Sequence, residues 1–87
     1  MNNTGKSNEQ RWVYDEDQAK MGKAISSILM NLGSKDERLK ALRYMGFIPP
    51  VDALKIVYDI GLQYEDYETC EAIIDYCAGM GIKLTVK

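Results

Sequence analysis

The stretch YEDYETCEAIIDYC, Tyr64 to Cys77, gathers three tyrosines, two cysteines and five acids. Thiols and carboxylates at this density are the material of a metal site or a redox pair, and tyrosines are the material of an adhesive surface. On a helix, Cys70, Ile73, Ile74 and Cys77 fall at spacings of three, one and three. They therefore share one face, with Glu68, Glu71 and Asp75 mostly on the other side. Seven residues make two turns, so the two cysteine Cα atoms stand ~10.5 Å apart. A disulfide needs Cα atoms within about 7 Å. One zinc ion would need both sulfurs at about 2.3 Å. The pair can do neither. The chain has no histidine, and nothing else at ligand spacing converges on these thiols. Both cysteines read as small buried hydrophobes, and the pattern calls for no metal and no cofactor.

The lack of histidine also removes the usual general base. Ser26 and Ser27 fall inside a helix with no base at a matching spacing. Most carboxylates occupy helix-capping positions or polar faces, where structural roles account for them. The triplet Gly5-Lys6-Ser7 lacks the earlier glycine, the preceding strand and the following apolar helix of a phosphate-binding loop. The expectation is a protein that is not an enzyme.

Adhesion is the chemistry that remains. Tyr64 and Tyr67 fall in a turn and a first helical turn, beside Glu65, Asp66 and Glu68. Tyrosine offers apolar area with a polar tip, which suits either an interface or the capped end of a bundle. Trp12, the single tryptophan, sits beside Arg11 ahead of the first helix. It reads either as an interface anchor or as a lid packed over the bundle. Trp12, Tyr14, Tyr64 and Tyr67 are the candidate protein-binding residues. A second possibility is a ligand site, in which Arg11, Lys20 and Lys23 neutralise a phosphate while Trp12 or Tyr14 stacks on a base.

Four helices must position these residues. Asp15 and Gln18 form a capping box for the first, with Tyr14 and Ala19 at the staple positions. Met21, Ile25, Ile28 and Leu32 make its apolar stripe, Ala24 and Leu29 widen it, and Gly33 ends it. Ser34 to Glu37 is a second capping box. Leu39, Leu42 and Met45 face inward on this helix, and Gly46 is its expected left-handed terminus, with Phe47 folding back. Ile48-Pro49-Pro50 forces an extended break, and Pro50 suits the first turn of a third helix. That helix is apolar nearly all round, so it should be the hub of the bundle, with Gly61 as its stop. Asp66 caps the fourth helix, expected to run to Ala78 before Gly79 and Gly81. The tail from Ile82 alternates apolar and polar, which suits a docked extended segment or an edge strand paired with a second copy.

The predicted fold is all-α: a compact bundle of four short helices over residues 12–87, preceded by a flexible, polar tail at 1–11. Eighty-seven residues are one domain at most. The net charge of −2 gives no electrostatic reason for a nucleic acid partner. Residues 1–47 carry eight basic and six acidic side chains, and residues 48–87 three basic and seven acidic. Helices two and three fail as a helix-turn-helix reader, because Asp52 and Asp59 lie on the polar stripe of the second element. No apolar run approaches the ~18 residues needed to cross a bilayer, and the N-terminus lacks a signal-peptide core. A cytoplasmic location follows as the expectation, with direct membrane insertion excluded and both cysteines reduced.

These features predict a small non-enzymatic regulator that occupies another protein's surface as an adaptor, antagonist or inhibitor. Its size fits a virus- or mobile-element-encoded modulator. The apolar third helix points to a homodimer or a stable hetero-complex. An oligomeric protein that sequesters a small ligand or nucleotide is the alternative.

Overall fold

The computed structural model describes residues 16–84, which form four α-helices. They are α1 (Glu16–Met30), α2 (Lys35–Arg43), α3 (Val51–Gln63) and α4 (Tyr67–Met80). The expected tail at 1–11, the Asp15 cap and the Tyr14 staple lie outside the described residues.

Two of the expected caps form. The Ser34 hydroxyl accepts from the Glu37 backbone N–H at 3.2 Å. The Glu37 carboxylate reaches back one residue further than in the usual box and accepts from Gly33 N–H at 2.8 Å. At α4, Asp66 accepts from the Thr69 N–H at 3.4 Å and from the Thr69 hydroxyl at 2.7 Å. Short polar side chains satisfy the free N–H groups of a first turn in this way.

The expected glycine stops are corrected. Among the described residues only Glu65 and Gly81 have positive φ. Gly33 and Gly46 are not left-handed, and α1 already ends at Met30. Gly61 does not stop α3; it lies buried inside the helix, and Glu65 at φ 58° takes the left-handed position four residues later. There Asp66 N–H donates to Gly61 C=O at 2.7 Å and Glu65 N–H to Leu62 C=O at 3.1 Å. This is the paired bonding of a Schellman terminus, with a glutamate where glycine is usual. Gly79 falls within α4, which ends at Gly81 with φ 71°. Pro50 is the N-cap of α3 rather than a residue of its first turn.

Gly61 is small for a packing reason. A Cβ there would stand 2.8 Å from Cys70 Sγ and 3.2 Å from Asp66 C=O. Gly22 plays the same part on α1: its Cβ would stand 2.7 Å from Ile56 Cγ2 and 3.0 Å from Ala53 C=O. One turn beyond Gly22, α1 lies against Ile60, Gln63 and Tyr64. The contacts advance in the same direction along both helices, so α1 and α3 run parallel. By the same reasoning α3 and α4 form an antiparallel hairpin, with Cys70 against Tyr58 and Gly61.

The molecule therefore has two ends. The C-termini of α1 and α3 meet the N-terminus of α4 at one. The N-termini of α1 and α3 and the C-terminus of α4 point towards the other. The core between them comprises Ile25, Leu29, Leu42, Leu54, Val57, Ala72, Ile73, Tyr76 and Cys77. Both cysteines are buried and unbridged, as their spacing implies. Ile28 and Ile74, expected inside, are about half exposed, while Ser26 and Tyr76 are buried. The third helix is a hub only in part: α3 packs on α1 and α4, whereas α2 packs mainly on α4. Ile82 and Leu84 of the tail dock against the core.

A groove beside the corner of helices three and four

The corner between α3 and α4 is rigid because three devices converge there. The Schellman bonds close α3, and the Asp66–Thr69 pair opens α4 within two residues. The third device is Arg38 of α2, which is almost fully buried. Its Nε donates to Leu29 C=O at 2.8 Å, its Nη1 to Glu68 Oε1 at 2.6 Å, and its Nη2 lies 3.7 Å from Asp66 Oδ1. One planar guanidinium thus ties the last turn of α1 to the first turn of α4, a task suited to its fixed fork of donors. Lys35, one turn earlier on α2, adds a 2.7 Å contact to Asp75 of α4.

Two aromatic rings project from this frame. Tyr64 is the C-cap of α3 and Tyr67 the first residue of α4. They are 64 % and 57 % exposed, so they do not seal the end of the bundle. Beside Tyr64 a groove of about 460 Å³ runs between α1 and α3. Lys23, Ser27 and Met30 line one wall, Ile60, Gln63 and Tyr64 the other, and Ser26 contributes from the buried face of α1. The lining carries one ammonium, two hydroxyls, an amide, a phenol and two apolar side chains, with no carboxylate. Such a surface can accept an extended segment that brings an apolar side chain and an acid.

Of the residues singled out in the sequence, Tyr64 and Lys23 come together at this groove. Tyr67, the first residue of α4, does not line it. Lys20 is exposed one turn before Lys23 and does not line the groove. Arg11, Trp12 and Tyr14 lie outside the described residues.

Arg38 counts in the sequence as one of four basic residues of the second helix, and its burial is what the structure adds. The signal was present: it stands four residues before Leu42, on the buried stripe of that helix. Tyr44, at the end of α2, is 79 % exposed.

The thiols lie apart from this surface. Burial raises the Cys77 thiol above its ordinary pKa. Burial, then the neighbouring Asp66 carboxylate, does the same for Cys70, whose Sγ donates to Tyr58 C=O at 3.5 Å. Among the described residues no three histidine, cysteine or acidic side chains converge as metal ligands. Also among them, no helix is long and apolar enough to cross a membrane. Comparison of the chain with protein-family models, with curated proteins and with solved structures finds no match.

Proposed function

We propose that this protein is a non-enzymatic regulator that binds another protein, and that its contact surface is the α3–α4 corner with the adjoining groove. The observation that carries this reading is the pair of exposed rings, Tyr64 and Tyr67, on a corner fixed from three sides. Aromatic side chains on a rigid support lose little entropy on binding, and for that reason they recur as interface anchors. Lys23 supplies orientation: it favours a partner segment with an acid beside its apolar anchor. The mechanism is occupancy by mass action. We place it in the cytosol, where both thiols stay reduced. The ligand-sequestering alternative draws less support, since Lys20 and Lys23 do not converge on one groove.

The test is affinity capture from an extract of the source cell, followed by titration of the captured protein. Tyr64→Ala and Tyr67→Ala should each weaken binding by about 2 kcal/mol or more, roughly thirtyfold in Kd. Tyr44→Ala, a ring exposed on α2, should leave it unchanged. Binding insensitive to both corner substitutions would defeat the assignment.

A further inference from the structure

The helices α3 and α4 touch along a seam marked by Gly61 against Cys70. The seam has two sides. On the inner side stand Leu54 and Val57 of α3 and Ile73 of α4, all members of the core. Helical spacing therefore puts Tyr58 and Leu62 of α3 and Ile74 of α4 together on the outer side. Neither remaining helix reaches it: α1 meets α3 through Ala53, Ile56 and Ile60, and α2 is bonded to α4 through Glu68 and Asp75.

This outer face has a pattern. Val51, Lys55, Tyr58 and Leu62 recur at four, three and four residues, and Tyr67, Glu71, Ile74 and Ala78 repeat the same spacing on α4. That is the period of a stripe that packs on another helix. Yet Val51, Leu62 and Ile74 are each 41–46 % exposed. Beside Ile74 and Ala78 the face deepens into an apolar hollow of about 270 Å³ with no charged lining.

We infer that a second copy of this chain docks on the outer face of the α3–α4 hairpin, about a twofold axis along the seam. The inference goes beyond the proposed function and does not depend on it. Tyr67 belongs to both surfaces, whereas Tyr64 and its groove lie on the α1 side of α3 and stay open. The face is self-complementary in charge. Each stripe carries one charged residue, a cation on α3 and an acid on α4. Such an axis lays α3 of each copy on α4 of the other. Gly61 is level with Cys70 and the helices are antiparallel, so Lys55 stands ~7 Å along the axis from the partner's Glu71. Two long side chains close that gap, and the symmetry makes the pair twice. In extent, α3 with its 13 residues is ~20 Å long, and two helices side by side are about 20 Å wide. Each copy thus offers on the order of 400 Å² in projection, near the lower end of specific interfaces. The dimer should accordingly be reversible, with Kd in the micromolar range.

Sedimentation equilibrium of the full chain, over a wide span of concentration about the micromolar region, should fit a monomer–dimer equilibrium. Leu62→Arg and Ile74→Arg should each weaken the dimer at least tenfold while far-ultraviolet circular dichroism stays unchanged. Both side chains are exposed, so the fold tolerates the charge, and two variants guard against loss of fold in one. Tyr64→Ala, which tests the proposed function, should leave the dimer intact. Lys55→Glu and Glu71→Lys should each weaken it about tenfold, and an equimolar mixture of the two should associate more tightly than either alone. A monomer at every concentration would overturn the inference. So would a dimer indifferent to both arginine variants, which places the contact on another face. A mixture of the two charge variants that associates no better than its components would overturn the twofold pairing.

Discussion

Replacing Gly22 with alanine should destabilise this protein, although intrinsic helix propensity predicts the reverse. In a helix interior, alanine is favoured over glycine by ~1 kcal/mol. At Gly22 the new methyl would lie 2.7 Å from Ile56 Cγ2, 2.8 Å from Ile56 Cβ and 3.0 Å from Ala53 C=O. Carbon atoms prefer a separation of about 3.5–4.0 Å, so the shortfall is close to an ångström. Ile56 cannot yield easily, because it is buried and β-branched and its χ1 is restricted. The Ala53 carbonyl is backbone and yields only if α1 and α3 separate. Overpacking of this kind costs about 1–3 kcal/mol, which leaves a net loss of ~0–2 kcal/mol after the propensity gain. Gly79→Ala is the matched control. It lies in α4, and its added methyl meets nothing within 4 Å. It should gain about 0.5–1 kcal/mol. The two substitutions are chemically identical and should differ by the overpacking term. Urea unfolding followed by circular dichroism reads the difference, since each kcal/mol moves the midpoint by ~0.3–1 M in a protein of this size. Equal rises in midpoint for both variants would refute the close contact of α1 with α3.

Three further outcomes are expected. Glu65→Gly should stabilise the fold by about 0.5–1 kcal/mol, because it relieves a left-handed side chain at the end of α3; thermal melting checks this. Arg38→Ala should cost about 1–3 kcal/mol, since the Asp66 and Glu68 carboxylates lose their shared cation and the Leu29 carbonyl loses one of its two donors, and Arg38→Lys should recover little, because an ammonium cannot span the three acceptors; urea midpoints test both. Cys70, Cys77 and Tyr76 all have raised pKa values, chiefly from burial. Their stabilisation is complete below the ordinary thiol value of 9.0 and is lost as pH climbs through the raised folded values. Unfolding midpoints should therefore fall above that pH, and iodoacetamide should label both thiols far more slowly in native than in unfolded protein.

The helices were legible because their start signals are local. Ser34 and Asp66 cap through side chains that reach only three residues ahead, and a short polar residue before an apolar stripe shows that directly. The glycines misled, because a glycine serves two purposes that sequence does not separate. At Gly81 it permits a left-handed turn, whereas at Gly22 and Gly61 it admits a neighbouring helix, and the partner lies far along the chain. Ile28 and Ile74 were misplaced because a 3.6-residue period leaves the edge of a stripe undecided until a neighbour covers it. Of the candidate site, the exposed tyrosines could be named from the sequence. The groove beside Tyr64 could not, since it depends on α1 lying parallel to a helix that is not its neighbour in the chain. Arg38 was hidden by its charge: its acceptors are supplied by α1 and α4, and only packing reveals them.

The guanidinium of Arg38 also makes the polypeptide indivisible. Its acceptors arrive in two instalments, Leu29 before it and Asp66 with Glu68 some thirty positions after. During synthesis, Arg38 gains its full set of acceptors only after the first turn of α4 has been made. Separately expressed fragments broken between α3 and α4 should then be soluble only when produced together, which makes that junction a natural place to divide the chain for a complementation reporter.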